Sequence, residues 1–169
     1  MDVALAGQGH KRDSLIVIPK ELLESIVAHA RREAPNEVCG WLAGEGHRVR
    51  RVYPVPNVAE NAEVRFRMDS GMQLSTMREI RDSGLELTGT YHSHPRASPS
   101  PSVRDRGLAA YPGAVHLIVS LATPEPQVRC YRVVEEKFTA IELVLGSVVQ
   151  NETSVRDSAR EESRRRLVG

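Results

Sequence analysis

The sequence predicts an α/β domain in which a mixed, curved β-sheet is flanked by helices. Its 169 residues and 40% hydrophobic content are enough to build one core without disulfides or oligomerisation. Short apolar or alternating runs, typical of strands, are interspersed with segments whose apolar residues recur at helical spacing. We therefore expect one domain over residues 14–149, a flexible N-terminal segment over 1–13, and a polar tail over 150–169 that is disordered or loosely helical.

The first predicted elements are a strand at residues 14–18 and a helix that Pro19 opens. The helix must end before Pro35, because proline cannot continue a helix. Its apolar positions recur at helical spacing: Leu22, Leu23, Ile26, Val27 and Ala30. A β-hairpin follows, with strands at 37–43 and 48–55 and a glycine-containing turn at 44–46.

The middle of the chain carries a short alternating pattern and a second helical pattern. Residues 64–68 alternate between apolar and charged side chains, which predicts a strand. The helix begins at Asp69 or Ser70 and ends at Asp82, where the next two residues, serine and glycine, terminate it.

A central strand at residues 85–93 leads into a loop made irregular by prolines at positions 95, 99 and 101. Ser102 is a suitable N-cap for a helix over residues 102–110. The remaining runs complete the sheet with strands at 114–120, 127–134 and 137–145.

Composition argues against several classes of function. The formal net charge is +1 and both signs are mixed along the chain, which gives no electrostatic reason to expect nucleic acid or a membrane. The two cysteines, Cys39 and Cys130, are too far apart in sequence for a paired motif, which argues against a disulfide framework and favours the cytoplasm. The first apolar run, residues 15–18, is too short for a signal peptide or a membrane span.

Two histidines lie where the central strand ends. Residues two apart in a strand point to the same side, so His92 and His94 present two imidazoles together. Asp105 lies on the first turn of the next predicted helix, and the loop between can fold it back to complete a His, His, Asp set. Zn²⁺ on these ligands keeps a positive charge and an open position, in which it acidifies a water molecule towards neutrality. We predict one zinc ion per chain.

Hydrolysis by such a water also needs a general base. A carboxylate on a neighbouring buried strand, such as Glu37, would suit if burial raised its pKa. Cys39 would share a strand face with Glu37, but a free cysteine in a buried strand is more often part of the core. The other histidines are expected to have structural or solvated roles: His10, His29, His47 and His116.

These residues resemble the signature of a known family. His92-Ser93-His94-Pro95, followed after six residues by Ser102-Val103-Arg104-Asp105, matches the full His-x-His-Pro-x6-Ser-x-x-Asp signature of the JAMM (MPN-plus) metallopeptidases. Glu37-Val38-Cys39-Gly40 resembles their glutamate strand, which also follows a first long helix. The resemblance spans residues 16–145 and implies an MPN/JAMM fold, related to the cytidine-deaminase-like architecture.

The resemblance also implies an activity, that of a zinc metallopeptidase or isopeptidase acting at the C-terminus of ubiquitin-like proteins. Zinc would be held by the two histidines and Asp105, and Glu37 would be the acid/base residue. Ser102 would hydrogen-bond the oxyanion of the tetrahedral intermediate. Ser93, between the histidines, receives no catalytic role.

Little room remains between Asp105 and the next predicted strand for a long substrate-recognition insertion, so the chain is similar to the compact prokaryotic members. Some of these act on ubiquitin-like sulfur carriers. The sequence leaves open whether the substrate carries a C-terminal cysteine or a lysine isopeptide, and whether the protein dimerises.

A non-catalytic MPN scaffold is the main alternative, because many MPN domains lack the metal residues and only assemble complexes. A Glu37 remote from the histidines, or a folded protein that binds no zinc, would indicate such a scaffold. A zinc nucleotide deaminase is a second alternative, but its Pro-Cys-x-x-Cys pair is absent from the sequence. Ser102-x-x-Asp105 is also a serviceable helix cap that needs no metal.

Overall fold

The computed structural model describes residues 14–105 and 113–147. The strands in these residues are β1 Leu15–Pro19, β2 Cys39–Glu45, β3 Arg48–Val55, β4 Glu86–His94, β5 Val115–Ser120, β6 Gln127–Val134 and β7 Lys137–Gly146. The helices are α1 Lys20–Glu33 and α2 Ser70–Asp82. Neither of these two helices is long and apolar enough to cross a membrane. The expectations for residues 1–13, 106–110 and 150–169 lie outside the described residues.

The strands form one mixed sheet in the order β1-β3-β2-β4-β5-β6-β7, which closes because β7 returns to pair with β1. β1 is parallel to both of its neighbours, β4 is parallel to β5, and the other neighbouring pairs are antiparallel. The predicted mixed, curved sheet with flanking helices is therefore confirmed. β4 lies between β2 and β5, so both of its edges are hydrogen-bonded and its C-terminal end is held rigidly.

Each helix covers a different face of the sheet. Successive strand residues point to opposite faces, and Leu42 packs in the cluster that contains Ile26 of α1, whereas Trp41 packs in the cluster that contains Ile80 of α2. His92 pairs in register with Cys39, which belongs to the α2 cluster. The first predicted metal ligand therefore lies on the α2 face of the sheet.

Both helices end where the sequence predicts. α1 ends at Glu33, two residues before Pro35. α2 matches its predicted bounds, with Asp69 as N-cap accepting a hydrogen bond of 2.8 Å from the N–H of Met72. Gly84 follows α2 with a φ of +74°, a conformation that glycine adopts without strain.

The strand predicted at residues 64–68 is wrong. Only Met68 forms an isolated bridge, and its partner is Asn57. The Asn57 side chain donates a hydrogen bond of 3.1 Å to the carbonyl of Arg65 and accepts one of 3.0 Å from the N–H of Arg67. One amide side chain therefore satisfies backbone groups that a neighbouring strand would otherwise bond.

The hairpin turn predicted at 44–46 lies slightly further along the chain. β2 continues through Glu45, and Gly46 and His47 form the turn, with Gly46 at a φ of +57°. Gly44 is instead a strand residue at a register shift with β3. A Cβ atom at Gly44 would lie 1.8 Å from the carbonyl oxygen of Arg48, so the close approach of the two strands requires glycine there.

Candidate metal centre

The two histidines lie at the end of β4, as the sequence predicts. The side chains of His92 and His94 are buried on the same side of the strand, with residue exposures of 0% and 4%. Their Nε2 atoms are 3.1 Å apart. The pairing of β4 with β2 and β5 fixes this separation through the backbone of the sheet.

Asp105 approaches the histidines from the loop that follows β4. Its Oδ1 lies 3.3 Å from Nε2 of His92, and its Oδ2 lies 3.5 Å from Nε2 of His94. The carboxylate is buried, and the three side chains form a compact group that could hold a metal ion. The structure therefore brings together all three residues that the sequence predicts as ligands.

The spacing of the donor atoms fits a tetrahedral zinc site. Metal–ligand bonds of about 2.0–2.1 Å in a tetrahedron separate the donors by about 3.3 Å. Nδ1 of His94 lies 2.7 Å from the carbonyl oxygen of Ser98. A carbonyl only accepts, so Nδ1 carries a hydrogen, and in the neutral ring the lone pair of Nε2 faces the site. The His92 ring stacks on Phe66 with centroids 4.7 Å apart, which holds its plane.

Ser102 and Asp105 form a reciprocal turn. The N–H of Asp105 donates a hydrogen bond of 3.3 Å to Oγ of Ser102, and the N–H of Ser102 donates to Oδ2 of Asp105. This is the hydrogen-bond pattern of a capping box. The same carboxylate also faces the histidines, so the turn orients the third candidate ligand.

Glu37 lies just before β2 rather than in it, so the strand predicted at 37–43 begins two residues late. Its N–H donates a hydrogen bond of 2.7 Å to the carbonyl of Ala62, and its carbonyl accepts one of 2.8 Å from the Asn57 side chain. These bonds to the 57–62 loop take the place of strand pairing. The residue is only 7% exposed.

Ser93 connects β4 to Val38, the residue after Glu37, and the sequence did not predict this contact. The N–H of Val38 donates a hydrogen bond of 2.9 Å to Oγ of Ser93, and the N–H of Ser93 donates one of 3.0 Å to the carbonyl of Val38. Ser93 is fully buried. The sequence did contain a signal for this contact. Ser93 is a hydroxyl residue on a predicted central strand, and a buried hydroxyl group needs a hydrogen-bond partner.

The electrostatics place Glu37 near the candidate ligands. Burial raises the pKa of Glu37 to about 7, while His94 lowers it and Asp105 raises it by charge. Burial alone would lower the pKa of His94, but its hydrogen bonds with Asp105 and with the carbonyl of Ser98, together with the nearby carboxylates, outweigh this effect and raise it. Val38, the residue after Glu37, is hydrogen-bonded to Ser93 between the two histidines, so Glu37 is not remote from them, which argues against the scaffold alternative.

The structure also shows the surroundings of Cys39, His116 and His29. Cys39 is core, as expected: it is fully buried, and burial raises the pKa of its thiol to about 12, which disfavours a nucleophilic thiolate. His116 is buried with Nδ1 3.2 Å from Oγ1 of Thr90, and burial lowers its pKa to about 4, so the ring is neutral near pH 7. His29 contacts the Tyr91 hydroxyl at 2.9 Å. His10 lies outside the described residues.

Comparison with known families agrees with this geometry. Residues 19–134 match the Prok-JAB family, the prokaryotic homologs of the JAB domain. The protein belongs to this family. The matched region contains Glu37, the two histidines, Ser102 and Asp105, so the JAMM resemblance of the sequence is confirmed.

Named relatives and solved structures extend the match. The CysO-cysteine peptidase of Mycobacterium tuberculosis is 40% identical over 128 residues, which cover 74% of this chain and 87% of that protein. The desampylase of Haloferax volcanii is 39% identical over 113 residues, 63% of this chain and 81% of that protein. A JAB1/MPN domain protein from Archaeoglobus fulgidus superposes with a TM-score of 0.55 at 25% identity, over 79% of this chain and 99% of that one. The predicted MPN/JAMM fold is thereby confirmed.

Proposed function

We propose that this protein is a zinc-dependent hydrolase that cleaves peptide or isopeptide bonds at the C-terminus of a ubiquitin-like or sulfur-carrier protein. The observation that carries the proposal is the close grouping of two imidazoles and a carboxylate, with donor atoms 3.1–3.5 Å apart, beside the buried carboxyl group of Glu37. A scaffold has no need to bury two imidazoles and two carboxyl groups side by side, because burying such groups costs free energy unless hydrogen bonds or a bound ion compensate it.

His92, His94 and Asp105 would hold the zinc ion. When bound through three protein ligands, zinc supplies Lewis acidity at an open fourth position, where it lowers the pKa of water towards neutrality. Glu37 accepts the proton of the attacking water, and its raised pKa of about 7 allows it to return that proton to the leaving amine at neutral pH. The hydroxyl hydrogen of Ser102 can donate to the oxyanion, because Oγ acts only as an acceptor in the turn with Asp105.

The names of the relatives support the substrate class. One similar protein is named CysO-cysteine peptidase, and another is named desampylase. We propose that this chain likewise acts on a conjugate formed at the C-terminus of a small carrier protein. The two buried, unpaired cysteines are compatible with a cytoplasmic location, and we propose that location too.

Mass spectrometry of candidate carriers tests the proposal directly. Ubiquitin-like and sulfur-carrier proteins bearing a C-terminal cysteine, a peptide extension or an isopeptide-linked lysine are incubated with the zinc-loaded protein. We expect loss of the added group from at least one carrier, with no loss after the zinc is chelated. Intact conjugates throughout, with one zinc bound per chain, would contradict the hydrolase assignment and favour a scaffold.

A further inference from the structure

A cavity of about 490 Å³ opens beside Asp105 on the α2 face of the sheet. Its floor includes Trp41 and Thr90, which are paired in register on β2 and β4. Its walls come from residues 65–68, from the start of α2 and from Arg104. Because Asp105 lines the cavity and also contacts both histidines, a group bound there would lie next to the candidate metal centre.

Three arginines line this cavity: Arg65, Arg67 and Arg104. Asp105 is the single carboxylate among the described lining residues, and it is already bonded to the histidines and to Ser102. None of the ion pairs formed by described residues involves the three arginines. The cavity therefore carries positive charge that no described protein carboxylate pairs with.

Two of the arginines are held in place by backbone carbonyls. Arg67 donates a hydrogen bond of 3.0 Å to the carbonyl of Val58, and Arg104 donates one of 3.2 Å to the carbonyl of Val64. Each of these bonds uses one of the five N–H donors of a guanidinium group. The remaining donors can form the bidentate pair that arginine makes with a carboxylate.

A second cavity of about 490 Å³ adjoins Glu37 and differs in charge. No arginine is among its described lining residues. Its polar lining residues are His29, Glu33, Asn36, Glu37 and Asn57, and the others are apolar. Arg104 acts on both sides, since its charge lowers the pKa of Glu37, but Arg65 and Arg67 line only the first of these two cavities. The Asp105 side is therefore the more favourable of the two for an anionic group.

The chemistry of the possible substrates distinguishes them by charge. When one amino acid is attached through its α-amino group, its α-carboxylate is separated from the scissile nitrogen by a single carbon atom. A lysine isopeptide nitrogen instead sits on an uncharged four-carbon stem. Only the first kind of conjugate places an anion beside the bond that is cleaved.

We propose that the arginine-lined cavity binds the α-carboxylate of a single amino acid attached to the C-terminus of the carrier, so that the enzyme releases one free amino acid. This inference rests on the proposed hydrolase function. In the reaction, the amide C–N bond breaks, the hydroxyl of water joins the carrier carbonyl carbon, and the proton goes to the leaving nitrogen. The products are the carrier with a C-terminal carboxylate and the free amino acid.

Binding of two matched peptides tests the inference on the zinc-loaded, full-length Glu37→Gln protein, which should bind substrate without consuming it. The probes are acetyl-Gly-Gly-Ala with a free carboxylate and the same peptide as its C-terminal amide, measured by calorimetry. We expect the acid to bind about tenfold or more tightly than the amide, because charge-assisted hydrogen bonds to arginine are lost in the amide.

Arginine variants separate the cavity from the attraction of zinc for any carboxylate. Added to the Glu37→Gln protein, Arg65→Gln and Arg104→Gln should each reduce the preference for the acid, while Arg31→Gln, an exposed control on α1, should leave it unchanged. Equal binding of acid and amide, no measurable binding of either, or a preference that survives both cavity variants would overturn the inference. Failure of the wild-type protein to cleave any carrier, with the arginine-dependent preference intact, would instead contradict the hydrolase function alone.

Discussion

The two halves of the candidate site are held by different kinds of structure. His92 and His94 lie on β4, where ladder hydrogen bonds to β2 and β5 fix both edges of the strand. Glu37 and Asp105 lie outside the strands, on segments that side-chain hydrogen bonds hold in place. The positions of the two imidazoles are therefore set by the pairing of the sheet, whereas the positions of the two carboxyl groups depend on hydrogen bonds from a few individual polar residues.

Because of this difference, the residues that position the candidate metal ligands are not those that position the proposed general base. The sheet and the Ser102 turn assemble the three candidate ligands without any contribution from Glu37. The base is positioned by Asn57 and by the contact of Ser93 with Val38. Changes on the Glu37 side should consequently alter turnover and leave zinc in place.

Replacement of the base should give the largest effect. Glu37→Gln keeps the size of the side chain but removes the proton acceptor, so kcat/KM should fall by about 10²–10⁴-fold. Zinc content, measured by inductively coupled plasma mass spectrometry, should stay at the wild-type value. Glu21→Gln, at an exposed position in the first turn of α1, is the matched control. An active Glu37→Gln enzyme would refute the role assigned to this residue.

Removal of the link between the halves should give an intermediate effect. Ser93→Ala leaves the N–H of Val38 without its hydroxyl acceptor and allows the neighbouring Glu37 to shift. Since a misplacement of about 1 Å can cost about 10²-fold in rate, we expect kcat to fall by about 10–10²-fold with zinc retained. Ser25→Ala, which removes an exposed hydroxyl on α1, controls for the substitution. Wild-type kcat in Ser93→Ala would show that the two halves are positioned independently.

The smallest effect concerns the stability of the metal-free protein. Burial raises the pKa of Glu37 from 4.5 to about 7, so the fold favours the neutral carboxyl group. The stability that the fold gains from this raised pKa is fully present below pH 4.5 and is lost as the pH rises through 7. Relative to Glu37→Gln, the wild-type protein should lose about 3 kcal/mol of unfolding free energy across this window. Urea unfolding at several pH values measures the difference, and a pH-independent difference would show that Glu37 is not desolvated.

The sequence predicts the strand-borne half of the site better than the rest. Alternation along β4 places both histidines correctly, because strand periodicity is a local property. The role of Ser93 and the loop at residues 64–68 could not be predicted in the same way, since both depend on partners distant in sequence, Val38 and Asn57. An alternating pattern was mistaken for a strand because one asparagine side chain can satisfy the same backbone groups.

The arginine-lined cavity was not visible in the sequence for a similar reason. Arg65 and Arg104 are far apart along the chain and meet only when the loop after β4 folds back over the α2 face. The composition does not predict this cavity. The net charge of the whole chain is +1, and this total does not show a local excess of arginine.

The most direct test of the account is a crystal structure of the zinc-loaded protein with anomalous data collected at the zinc edge. We predict one strong peak per chain, at about 2.0–2.2 Å from Nε2 of His92, Nε2 of His94 and an oxygen of Asp105, with its open side towards Glu37. A protein that crystallises with no peak at these residues, or with zinc bound only elsewhere, would contradict the assignment of this group as a metal centre and the hydrolytic function built on it.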